Sequence, residues 1–333
     1  WRAGGPYMGS MGGYRGWACR VTADGKFEPY ANGLRSPAGL GIDPQGRLWY
    51  AENQGEYVGS SKVVPLEKGK FYGHLSGLVS LPGNMNPYSP ELKFDNWKGQ
   101  IRKGAVWLPH GKLANSPGHP AWDTTAGKFG AYRDQMFIGD QTLSTLLRVV
   151  TEKVKGQDQG CVIPFARGLS SGVMRPVFLP DGSMLIGQTG RGWGARGGNQ
   201  AGLQRISWDG KTMAADIELV AGNAKGFELH FTQPLDKAIT PATLANRLKV
   251  QSWFYTNTGR YGSPEHDRRD EAILSTSISD DRLRMELNIT GFGKGDKWLD
   301  RIYRIQISDT VGLFGKAPSW KKLDAYFTLR AIQ

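Results

Sequence analysis

The sequence predicts an all-β protein, and three observations carry that prediction. The 333 residues include 46 Gly and 18 Pro, so the chain turns often. They include 11 Trp, 12 Tyr and 13 Phe, aromatic residues that favour the pleated, half-buried surface of a strand. Short apolar runs bounded by Gly, Asp and Asn recur, without the Ala-, Leu-, Glu- and Lys-rich segments of a helical bundle. A chain of this length is expected to form two domains.

The first elements alternate strand and turn. Trp17–Val21 leads into the turn Ala23–Lys26 and then the strand Phe27–Tyr30, with a loop at Asn32-Gly33. Leu40–Ile42, the turn Asp43-Pro44-Gln45-Gly46 and the strand Arg47–Ala51 follow, with Gly46 supplying positive φ. The unit then returns. Ala31–Gly55 lines up with Ala166–Gly192: Ala-x-Gly-Leu, strand, turn, apolar strand, Gln/Gly-rich loop. Tyr132–Val150 is a weaker copy, in which Met136–Asp140 matches the second strand and Leu146–Val150 the third. Gly202–Lys211 echoes Gly16–Lys26. A repeat of about 40–50 residues built from short strands reads as a β-propeller blade.

Residues 1–221 are therefore expected to form propeller blades. Within them, residues 76–130, rich in Pro, Asn, Gly and Trp, read as an insertion carrying a short strand at Ala105–Leu108. A partial ring leaves two blade edges open, which further residues or another chain should cover.

The pattern changes after residue 222. Gly226–Phe231, Leu248–Tyr255, Ala272–Ser279, Leu283–Ile289, Arg301–Ile307 and Tyr326–Leu329 are strand candidates, with a short helical turn at Pro241–Arg247. Leu283, Met285, Leu287 and Ile289 face one way, and Arg284, Glu286 and Asn288 the other. Residues 222–333 thus read as a β-sandwich of immunoglobulin or fibronectin type.

The formal charge is +12, yet the Lys and Arg residues are scattered, so nucleic acid is not the expected partner. An acidic protein, a redox protein or an anionic membrane surface remain open, beside a merely solvated basic surface. No apolar run is long enough for a transmembrane helix. The chain opens on Trp1 and reads as a processed protein or a piece of a longer one. Cys19 and Cys161 lie in no CxxC or CxxCH, so no zinc ribbon and no covalent haem is expected in this chain; a disulfide between them stays open. P-loop and HExxH motifs are missing.

The run Arg35–His74 resembles the propeller of the glucose/sorbosone dehydrogenase superfamily, the soluble quinoprotein sugar dehydrogenases. WLPHG, KFGAYRDQMFIGDQT, GQDQGC and GQTGRGWGARGG look like the large secreted bacterial proteins that join such a propeller to c-type cytochrome modules, often with a following domain similar to GFELHFTQPLD…YGSPE…YFTL. The resemblance implies a partial six-bladed β-propeller followed by an immunoglobulin-like sandwich. It implies a periplasmic or secreted location, pyrroloquinoline quinone (PQQ) and calcium as cofactors, and electron transfer to a c-type cytochrome or other acidic subunit. Carbohydrate is a further expected ligand.

Residue by residue, the resemblance implies that Arg35 clamps the anionic quinone, although Ser36 departs from the family's Arg-Asn pair. Gln54 would hydrogen-bond the cofactor, and the Gly55 carbonyl would ligate calcium, with Glu56 replacing the family's acidic ligand. The family's catalytic His precedes the matched region. His110, in a loop after a strand, is the candidate base. Arg191 could clamp an anion and Trp193 could stack on a sugar ring, or Trp193 could plug a blade interface. Arg35 could equally bridge blades, and Gln54 could satisfy backbone groups of a buried loop.

Three functions follow: a quinone-dependent sugar or aldehyde dehydrogenase; a non-catalytic binding or scaffold subunit of an extracytoplasmic assembly, electron-transfer or glycan-associated; and a glycoside hydrolase built on Glu52 and Asp140.

Overall fold

The computed structural model describes residues 14–79, 90–192 and 194–333. Almost all regular structure is strand, as the turn-rich, aromatic composition requires. A hairpin of β1 (Trp17–Val21) and β2 (Phe27–Asn32) comes first. A four-stranded meander follows: β3 (Pro37–Ile42), β4 (Leu48–Glu52), β5 (Ser61–Pro65) and β6 (Val106–Leu108). The second meander is β7 (Pro117–Trp122), β8 (Met136–Asp140), β9 (Thr145–Val154) and β10 (Gln157–Ala166). The third is β11 (Val173–Phe178), β12 (Met184–Thr189) and β13 (Ala201–Ile206).

These meanders are propeller-like. Their first strands form a central row, β3 on β7 and β7 on β11. Glycine permits the close approach: a Cβ on Gly118 would lie 2.6 Å from the Met174 carbonyl oxygen, inside any real contact. Blade faces fill with apolar side chains, as in the Phe129, Phe137, Val173, Met184 and Ile186 cluster between the second and third blades. The β1–β2 hairpin packs Ala18 and Ala31 against Tyr50 and Val64 of the first blade.

The 76–130 insertion is corrected in part. Pro117–Trp122 is the innermost strand of the second blade, paired with β8. Pro117, Gly118 and Pro120 hide it in sequence. Prolines are tolerated because β7 is an edge strand with one ladder neighbour.

The remaining strands are β14 (Ile217–Gly222), β15 (Gly226–Phe231), β16 (Leu248–Phe254), β17 (His266–Asp270), β18 (Ile273–Ile278), β19 (Arg284–Ile289), β20 (Arg301–Ile307) and β21 (Leu323–Leu329). One sheet runs β14-β15-β19-β18, and the other runs β17-β16-β20-β21. Phe227, Leu229, Met285 and Leu287 of the first meet Tyr303, Ile305, Ala325 and Phe327 of the second in a dry core. The sandwich thus already includes Ile217–Gly222, ahead of the expected boundary at 222.

The two units share a sheet. Strand β21 pairs with β10, so the second blade and half of the sandwich form eight continuous strands. Cys161 lies buried in that seam, where its thiol accepts the Val220 N–H at 3.4 Å, while Cys19 is exposed; the two are unpaired. Among the described residues no helix is long and apolar enough to cross a membrane.

Candidate functional site

In a meander, alternate connections lie at the same end. The loops entering each blade and those between its second and third strands therefore share one rim. That rim carries Arg35, the 53–60 loop, His110, Gln141 and Arg191.

Acidic residues ending β4 and β8 anchor it. Glu52 accepts the backbone N–H of Arg35 at 2.8 Å and of Ser36 at 2.6 Å. Asp140 accepts those of Asn115 at 2.7 Å and Ser116 at 2.6 Å, and also that of Leu143 at 2.7 Å. Both carboxylates are fully buried, and burial raises the pKa of each against those hydrogen bonds. They tie each blade to its entering loop, and both are sealed from solvent rather than presented in an open cleft as the carboxylate pair of glycoside hydrolysis is.

Arg35, Gln54, Gly55 and Glu56 do come together. The Arg35 guanidinium donates from Nε and Nη2 to Glu56 Oε2 at 3.1 and 2.9 Å, and lies 5.1 Å from the Tyr261 ring centroid. Gly55 is required by space, because a Cβ there would lie 1.8 Å from Arg35 Nε. The Gly55 carbonyl accepts from Val58 N–H at 3.1 Å and Gly262 N–H at 3.0 Å. Gln54 donates to the Gly59 carbonyl at 3.2 Å.

The cluster is closed by the β16–β17 loop of the sandwich. Tyr57, with φ of 62°, donates its N–H to Thr258, and Ser263 N–H donates to Gly59. Beneath it, His74 is buried, with Nδ1 2.7 Å from the Ser76 hydroxyl. Burial, then the Arg35 charge, push its pKa down to about 4, opposed by Glu56.

The calcium and quinone set implied by the resemblance does not fit these residues. Glu56 is held by Arg35, the Gly55 carbonyl already accepts two N–H groups, and no group of three or more His, Cys, Asp or Glu among the described residues could hold a metal ion.

His110 stands on the same rim, exposed, with its N–H on the Ser60 hydroxyl at 3.1 Å. Arg191 is exposed on the third blade, its carbonyl accepting from Gln141 Nε2 at 3.0 Å, and is not brought to Arg35. Trp193 lies outside the described residues.

Sequence reasoning missed two places. At the central mouth, Arg175 Nη1 donates to the Ala38 carbonyl at 2.5 Å beside His119, whose pKa is lowered by burial and then by Arg175. On the rim, a cavity of about 400 Å³ is lined by Lys112, Ser144, Arg167, Ser170 and Arg196, among others. Arg167 and Arg196 are exposed and make no ion pair among the described residues. The signal for Arg167 was in the repeat, at the position of Asn32 in Ala-x-Gly-Leu.

No family model and no curated protein matches this chain. Two solved structures are similar over part of it. One is a putative oxidoreductase (glucose dehydrogenase) from Thermus thermophilus, at 22% identity and TM-score 0.36, covering 54% of this chain and 46% of its own. The other is the PQQ-bound form of an aldose sugar dehydrogenase from Streptomyces coelicolor, at 14% identity and TM-score 0.38, covering 58% and 52%. The match spans about half the length of each.

Proposed function

We propose that this chain is a non-catalytic binding module, a dehydrogenase-like propeller segment and an immunoglobulin-type sandwich that form one docking surface in a periplasmic or secreted assembly. The observation that carries this reading is the Arg35–Glu56 pair beneath the β16–β17 loop. It holds the implied cofactor groups in contacts with one another. The sandwich order, β14-β15-β19-β18 against β17-β16-β20-β21, supports the immunoglobulin assignment: in chain order it is ABED facing CFG plus one strand.

The partner in this reading is an acidic protein subunit such as a c-type cytochrome. The +12 charge and the unpaired Arg167 and Arg196 support it. Exposed Leu40 and Ile42 on the first blade and Val177 and Leu203 on the third support further blades that complete the ring.

The dehydrogenase reading keeps one observation. His119 is held toward its neutral form at the mouth, where a base would take a hydroxyl proton. A dye-linked assay with PQQ, Ca²⁺ and aldoses separates the two. The binding reading expects no aldose-dependent dye reduction. It also expects salt-sensitive binding to an acidic c-type cytochrome, weakened at least about tenfold by Arg167→Glu with Arg196→Glu. Aldose-dependent reduction lost in His119→Gln would replace this reading with the enzymatic one.

A further inference from the structure

A second cavity, of about 360 Å³, opens between the outer strand of the first blade and the sandwich. Its walls include Lys62, Trp107, Tyr255, Asn257, Asp300 and Arg330. We propose that it binds a small organic carboxylate with a flat, apolar body. This site adjoins the rim through Asn257, whose Oδ1 accepts the Gly59 N–H at 2.9 Å, but it does not rest on the binding reading above.

Hydrogen-bond donors without partners point to the ligand. The Arg330 side chain is 4% exposed. Its Nε donates to the Gly104 carbonyl at 2.9 Å and Nη1 to Asp300 Oδ1 at 3.0 Å, but buried Nη2 has no partner among the described residues. Trp107 is 5% exposed, and its indole Nε1 is likewise buried and unpartnered. Lys62 is 1% exposed, and its ammonium has only a long contact, 3.4 Å, to the Tyr72 carbonyl. Leaving one such donor unpaired costs about 1–3 kcal/mol, and an unpaired buried cation costs more.

The charge balance asks for an anion. Lys62, Lys103 and Arg330 line the space against Asp300, which already pairs with Lys103 at 2.6 Å and with Arg330, while Lys98 at its edge pairs with Asp95 at 3.0 Å. Glu52 faces Lys62 across the β4–β5 ladder and supplies part of its counter-charge, while its oxygens make their hydrogen bonds to the Arg35 and Ser36 N–H groups and none to the ammonium. Burial, opposed by Glu52 and reinforced by Arg330, holds Lys62 down at about 8. A carboxylate accepting from Arg330 Nη2 and Trp107 Nε1 would satisfy both orphaned donors beside that ammonium.

The walls specify the rest of the molecule. Tyr255 meets Trp107 edge to face at 5.5 Å, and Phe94 completes the apolar lining. A bare inorganic anion would leave these faces uncovered, whereas a planar ring would pack on them.

The probe is 4-fluorobenzoate, followed by ¹⁹F NMR and by tryptophan fluorescence, with inorganic phosphate in parallel. The proposal expects saturable one-to-one binding of 4-fluorobenzoate. Trp107→Phe, which keeps the ring and deletes only the indole N–H, should weaken it about fivefold, and Lys62→Met about tenfold. Lys103→Ala, on the exposed rim of the cavity, serves should Lys62→Met fail to fold, and should weaken binding about twofold. Absence of saturable binding, equal affinity in wild type and Trp107→Phe, or tighter binding of phosphate than of the aromatic acid would each overturn it.

Discussion

Cys161 of the second blade and Phe327 of the sandwich stand opposite each other in one antiparallel ladder, flanked by Gly160 with Thr328 and Val162 with Tyr326. The outer edge of that blade is thus closed by the following domain, which removes an exposed strand edge. The same strand reaches the first blade, where the Thr328 hydroxyl accepts the buried backbone N–H of Trp107 at 2.9 Å. Urea unfolding should therefore proceed in a single transition by fluorescence and circular dichroism. Thr328→Val should cost about 1–3 kcal/mol, because it leaves that N–H unpaired. Two separated transitions would show the units to be independent.

Removing Glu56 strands a guanidinium. Arg35 is 6% exposed and Glu56 17%, so Glu56→Ala should destabilise by about 3 kcal/mol, measured by denaturant titration. Gly55→Ala should produce a similar loss by a different route, expelling Arg35 from its place. The double substitution should then cost much less than the sum, since both act on one pair.

His74 gives a pH signature. Its pKa is lowered to about 4 in the folded protein from 6.5, so the unfolded chain binds the proton first as pH falls. Stability should decline between pH 6.5 and about 4 and receive no further contribution from His74 below that. The size is on the order of 3 kcal/mol. Since burial also raises the pKa of Glu52 and Asp140, the check is the difference between wild type and His74→Gln. That difference should shrink toward pH 4, and a pH-independent difference would contradict the assignment.

Asp140 should act as a loop anchor. Asp140→Ala removes three backbone acceptor contacts, from Asn115, Ser116 and Leu143, and should cost about 3 kcal/mol or more. Hydrogen exchange should rise at those three amides first. Protection unchanged there would mean that the loops hold by other contacts.

The blades were legible where the repeat was regular. Met136–Asp140 and Leu146–Val150 fell on the second and third strands of a blade because apolar runs and turns recur in step. Pro117–Trp122 was not legible, since its prolines are permitted only by an edge position that sequence does not reveal. The grouping of Arg35 with Gln54, Gly55 and Glu56 was legible from the first blade alone, because the last three are consecutive. What closes them, the β16–β17 loop, comes from the other domain, and no local pattern announces a contact so distant in sequence. The Lys62, Trp107 and Arg330 cavity was invisible for the same reason, because it is built from two domains.

Calcium-dependent binding of PQQ, followed by isothermal titration with and without Ca²⁺, tests the account most directly. With Arg35 and Glu56 bound to each other and the Gly55 carbonyl doubly occupied, no saturable Ca²⁺-dependent binding is expected. One-to-one uptake of the quinone that requires Ca²⁺ and is lost in both Arg35→Ala and Gln54→Ala would contradict it, and would place a cofactor where the sandwich loop now lies.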